Sequence, residues 1–158
     1  MGTAELALER VKTDYLQLCD NGASEWCKSQ PFADLVLIHE PGGGCKDATM
    51  QQATWRGLET ALAQNLTRSI GVSNFVVKDL EAILATAKVP PAANQCAMHI
   101  GRHDDATIAF CKAHKIQCFA PQQTSFLCGR QSICLVSPPN RPSCACLRVA
   151  GNWLCVPI

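Results

Sequence analysis

The sequence is short of the features that mark several protein classes. No stretch approaches the ~20 consecutive apolar residues of a membrane span, and charge bias of either sign is missing. Fourteen Lys and Arg face 13 Asp and Glu, for a net charge of +1. These basic residues are scattered, so the stripe that nucleic-acid binding needs is absent. The opening MGTAELALER has Glu5 and Glu9 and no apolar run, unlike a secretory leader. Leu6 stands where a myristoylation signal needs Ser or Thr. There is no CxxC pair and no GxGxxG after any predicted strand, which removes the common zinc and dinucleotide signatures. Gly42 to Gly44 precede no GK[ST], so they read as a loop rather than a phosphate cradle. The chain has a single tyrosine, Tyr15. A soluble cytoplasmic protein, with neither nucleic acid nor membrane as partner, is the expectation.

Cysteine, by contrast, is abundant: 11 in 158 residues. An odd count without a leader argues against a disulfide framework. Cys96, Cys111 and Cys118 fall in periodic apolar segments and read as small core residues. Cys19, Cys27 and Cys45 lie in irregular stretches, and Cys128, Cys134, Cys144, Cys146 and Cys155 in the tail.

With 47% hydrophobic residues the chain is globular in composition. Residues 3–12 have a partial helical stripe in Leu6, Leu8 and Val11. Residues 17–33, with Asn-Gly, Ser and Pro, read as a loop. Asp34 to His39, DLVLIH, is a continuous apolar run ending on a histidine, suited to a strand buried on both faces. A helix follows, with Thr49 and Gln52 as a capping box and Trp55, Leu58 and Leu62 at helical spacing. The spacing then predicts a strand over Ser69–Val72. Ser73 or Asn74 would cap the next helix, whose face is Val77, Leu80, Ile83, Leu84 and Ala87. A third strand over Ala93–Met98, a helix opened by Asp104 or Asp105, and a fourth strand over Ile116–Ala120 complete the pattern. Alternation with short connections means right-handed crossovers and a parallel sheet. From residue 122 the period is lost in a tail rich in Cys, Pro and Ser, with one short strand foreseen near Ser132–Val136.

The strand ends carry the most information. DLVLIH with Glu40-Pro41, then SIGVSNF, ANQCAMH and CFAP occur in that order with helices between. In this the chain resembles the aldo-keto reductase family, closely over residues 34–121 and again over 3–16. The resemblance implies an incomplete (β/α)8 TIM barrel, strands four to seven with their helices. It divides the chain into 1–121, with 17–33 as an inserted loop, and the irregular tail 122–158. It also implies an oxidoreductase that passes a hydride from NADPH, or alternatively NADH, to the carbonyl of an aldehyde or ketone. By the same resemblance His39 is the active-site histidine. Ser73, Asn74 and Gln95 hold the nicotinamide carboxamide, whose mixed donors and acceptors suit hydroxyl and amide side chains. Phe119 stands where the family has a stacking tyrosine, and a ring face is all that stacking needs.

The family's Asp, Tyr and Lys find no counterpart here, since Tyr15 matches the turn before strand four. Glu40 replaces the tryptophan usual after the histidine. The expectation is therefore impaired or absent turnover. Two alternatives stand beside it: a non-catalytic barrel fragment or gene-model remnant, and a Cys-rich metal-binding module. Four strands cannot close an eight-stranded barrel, so exposed edges and self-association are also expected.

Overall fold

A computed structural model describes residues 3–18, 32–41, 47–96 and 103–120, and the backbone of 144–149 and 152–157. Helix α1 spans Thr3–Leu18, six residues beyond the predicted end. No Gly or Pro interrupts it before Asn21-Gly22, and Ala7, Val11 and Asp14 keep one face buried at i, i+4, i+7. The rest of the predicted 17–33 loop, apart from Phe32 and Ala33, lies outside the described residues.

Strand β1 (Leu35–Ile38) leads to helix α2 (Ala48–Ala63), strand β2 (Ile70–Ser73), helix α3 (Val77–Leu84), strand β3 (Ala93–Gln95), helix α4 (Asp105–Ala113) and strand β4 (Gln117–Phe119). The caps only partly follow expectation. Helix α2 is capped by Asp47, whose carboxylate accepts from the Met50 N–H at 2.8 Å, not by Thr49. Gln52 is used elsewhere: its Nε2 donates to the Ala82 carbonyl at 2.8 Å and ties α2 to α3. Neither Ser73 nor Asn74 caps α3. That helix starts after Val76, out of their reach, and Asp79 Oδ2 accepts from the Val76 N–H at 3.4 Å. Asp104 caps α4 as expected, accepting from Ala106 and Thr107.

Strands β1 to β4 are parallel and in sequence order, paired Ile38↔Val72, Ser73↔Gln95 and Gln95↔Phe119. The tail departs from expectation. Strands β5 (Cys144–Val149) and β6 (Asn152–Pro157) form an antiparallel hairpin, and β5 pairs antiparallel with β1. The sheet order is β4-β3-β2-β1-β5-β6. One edge of the parallel set is thus covered by the chain's own tail, while β4 is an edge among the described strands. The strand foreseen near Ser132–Val136 lies outside the described residues.

Alternation along each strand sorts the side chains onto two faces. Val36, Ile38, Ile70 and Val72 turn toward the helices and pack with Trp55, Leu58, Ala61, Leu80, Ile83 and Cys111. Burying each such large side chain stabilises the fold by about 1.5–3 kcal/mol. Trp55 satisfies its indole by donating to the Val89 carbonyl at 3.0 Å. Among the described residues no helix is long and apolar enough to cross a membrane.

Candidate functional site

The opposite face of the parallel strands carries the sequence-predicted residues at its C-terminal end. The register aligns Ser73, Gln95 and Phe119 in one row across β2, β3 and β4. His39 follows Ile38, which pairs with Val72, so it continues that row past the end of β1. The strands end together, and all four residues therefore stand at one mouth.

Hydrogen bonds knit the row. Ser73 Oγ donates to the Gln95 carbonyl at 3.0 Å and lies 3.5 Å from Gln95 Oε1. The Asn74 N–H donates to the same Gln95 carbonyl at 2.8 Å. Asn74 Nδ2 donates to Ser73 Oγ at 3.2 Å and to the His39 carbonyl at 3.1 Å. One amide thus bridges the ends of β1 and β2, while the backbone beside it bridges β2 and β3. Asn74 adopts φ 60°, a left-handed conformation that Asn tolerates better than most residues. This bend leaves Asn74 exposed above buried Ser73. The Cys96 N–H donates to the Phe119 carbonyl at 3.0 Å, joining the fourth strand to the set. Phe119 itself is half-buried.

His39 is half-buried, and its Nδ1 is buried with no partner among the described residues. A buried polar atom of this kind is costly unless something satisfies it. The row therefore gathers an imidazole, a hydroxyl, two carboxamides and a ring face within a few strand spacings. Such a set matches a flat aromatic amide, which presents donor, acceptor and ring face together.

Tyr15 takes no part. It lies on α1, partly buried against the helix-side core, and burial pushes its hydroxyl pKa up. His103 approaches Asp105 at 3.2 Å near the start of α4, and His114 caps its end, both away from the row. His99, Glu40's neighbours at 42–46 and the tail cysteines' side chains lie outside the described residues. Among the described residues no three His, Cys, Asp or Glu side chains are grouped as metal ligands. A depression of about 360 Å³ runs along α4 and the start of β4, lined by Ile108, Lys112, Lys115, Ile116, Gln117 and Cys118. It holds no residue of the row and sits beside the wrong end of β4 for the strand-mouth chemistry.

One residue escaped the sequence reading. Asn94 is fully buried on the helix side of β3, and its Nδ2 donates to the Phe75 carbonyl at 2.8 Å. An Asn inside a three-residue buried strand, next to Gln95, was the available signal.

The row stands at the C-terminal ends of four parallel strands, the end at which α/β barrels carry their sites. The model of the aldo/keto reductase family matches residues 29–129, and the chain belongs to that family. It is 36% identical over 113 residues to glyoxal reductase of Bacillus subtilis, covering 72% of this chain and 33% of that protein. It is 39% identical over 97 residues to NADPH-dependent codeinone reductase 1-2 of Papaver somniferum, covering 54% of this chain and 30% of that one. Among solved structures it resembles MGS-M4, an aldo-keto reductase from a deep-sea metagenome library. That likeness has a TM-score of 0.62 at 29% identity, over 75% of this chain and 39% of the other. An aldo-keto reductase complexed with NADPH matches at a TM-score of 0.57 and 25% identity, over 73% of this chain and 35% of the other. The chain spans about a third of the length of these relatives.

Proposed function

We propose that this chain carries the nicotinamide-gripping part of an NADPH-dependent reductase of aldehydes and ketones. The observation that carries the reading is the single hydrogen-bonded row. Asn74 ties His39 to Ser73, and the Gln95 carbonyl takes both Ser73 and Asn74. In this reading Ser73, Asn74 and Gln95 hold the carboxamide and so fix which ring face meets the substrate. Phe119 offers its ring to the pyridine. Bound reduced nicotinamide supplies the hydride. His39 presents an imidazole to the substrate oxygen, where a donor stabilises developing negative charge. NADH is the alternative cofactor. A relative in Schizosaccharomyces pombe, 33% identical over 87 residues, is named an NAD/NADP-dependent indole-3-acetaldehyde reductase.

The chain's single tyrosine packs on the helix side, so this site has no phenol to donate the proton that alcohol formation needs. Turnover by this chain alone is therefore proposed to be impaired, with cofactor binding as its remaining competence. The edge of β4, unpaired among the described residues, offers a surface for self-association.

Titration of the full chain with NADPH and with NADH, following tryptophan emission, tests the reading. Saturable quenching is expected, accompanied by little or no consumption of cofactor with a simple aldehyde. No saturable change with either cofactor overturns it.

A further inference from the structure

We infer that Asn94 is a positioning residue that holds the Asn74 turn from the far side of the sheet. The inference rests on reading Ser73 and Asn74 as cofactor-holding residues. Asn94 is fully buried and pairs with Val72 and Cys118 in the row that faces the helices, opposite the site. Its Nδ2 donates to the Phe75 carbonyl at 2.8 Å and lies 3.8 Å from Cys111 Sγ. Its Oδ1 is buried with no partner among the described residues.

That combination is informative. An amide with one end unsatisfied is a poor core residue, because a side chain of similar volume and no polar atoms would leave nothing unpaired. What the amide supplies is one donor aimed at one carbonyl. The orientation follows from the geometry, since turning the amide over would set oxygen against oxygen at Phe75.

Phe75 follows Asn74 directly, so its carbonyl belongs to the turn that lifts Asn74 into the left-handed conformation. The turn is gripped from two sides. On the site face, the Asn74 N–H meets the Gln95 carbonyl. On the helix face, Asn94 meets the Phe75 carbonyl. Adjacent residues of β3 provide both grips. Displacement of the turn would swing Asn74 Nδ2 away from Ser73 and His39 while leaving the hydrophobic core largely in place.

The test uses the full 15N-labelled chain with Asn94→Leu and Asn94→Asp. In Asn94→Leu, the backbone and side-chain amide signals of Asn74 are expected to move while that of Gly57, in α2, stays. NADPH affinity should fall by about tenfold, the worth of one well-made hydrogen bond. In Asn94→Asp, an acceptor faces the Phe75 carbonyl once the introduced carboxyl ionises, which burial at this position delays to a pH above the ordinary carboxylate range. As pH falls and the introduced carboxyl takes up its proton, it becomes a donor again. Asn74's signals should then return toward their wild-type positions. Asn74 signals unmoved in Asn94→Leu overturn the inference. If the leucine variant does not fold, Asn74 signals in Asn94→Asp that ignore pH do the same. A wild-type chain that binds no NADPH, but whose Asn74 signals still respond to Asn94→Leu, sinks the reading of the site and leaves the grip standing.

Discussion

The Ser73 hydroxyl and the Gln95 carbonyl meet at 3.0 Å across two parallel strands, and that carbonyl also takes the N–H of Asn74 at 2.8 Å. A strand-end carbonyl has two lone pairs, and here both are occupied by the neighbouring strand. Ser73 Oγ in turn accepts from Asn74 Nδ2. The hydroxyl is therefore a relay between two amides and a small part of the strand pairing. In Ser73→Ala the backbone bond remains and the relay is lost. NADPH affinity should drop by about three- to tenfold, the equivalent of ~1 kcal/mol. Thermal unfolding followed by circular dichroism should change little, because the alanine fits the same buried position.

Asp14 sets a pH dependence elsewhere. It is buried on α1, with Oδ2 unpartnered among the described residues. Burial raises its pKa above the ordinary carboxylate value, and Arg10 only partly opposes the shift. A folded-state pKa above the unfolded one means that the folded chain holds this proton more tightly. The contribution to stability is greatest in acid, below the unfolded value, and is lost as pH rises through the folded value. Asp14→Asn should therefore unfold at higher urea than wild type near neutral pH. The difference should shrink in mild acid. An Asn variant that is less stable at neutral pH than in acid, relative to wild type, contradicts this account.

At Gly57, α2 packs directly against the first turns of α1. A Cβ there would collide with the Ala4 carbonyl oxygen and stand 2.7 Å from Ala7 Cβ. Backbone atoms cannot step aside as a flexible side chain can, so Gly57→Ala should push the two helices apart. A cost of about 1–3 kcal/mol is expected, despite alanine's better helix propensity. A fall in the midpoint of thermal unfolding measures it. The site row should keep its NADPH affinity as long as the sheet stays folded.

Much of this was legible in the residues. The apolar run at Leu35–Ile38 and the apolar face of Val77, Leu80, Ile83 and Leu84 announce strand and helix by period alone. The histidine, the Ser-Asn pair and the glutamine fall where each strand stops. The capping of α2 was misread, since Thr49 and Gln52 satisfy the pattern as well as Asp47 does. Gln52 is drawn off by the Ala82 carbonyl, 30 residues away, and no local pattern records that. Asn94 was hidden for a similar reason, because its partner at Phe75 comes from another segment. The hairpin β5–β6 breaks no rule of alternation, but a tail with scattered Cys and Pro does not announce a strand. It pairs where β1 leaves an open edge.

Composition and order alone determined that this chain builds parallel βαβ units and ends each strand in a polar or aromatic residue, because period and breakers act over a few neighbours. Tertiary structure decided the rest: which strand meets which, that Ser73, Gln95 and Phe119 share one row, and that β5 closes the side of β1. Register is a property of two segments at once. A slip of one residue would turn the row toward the helices, and only the packed core on the other face forbids it.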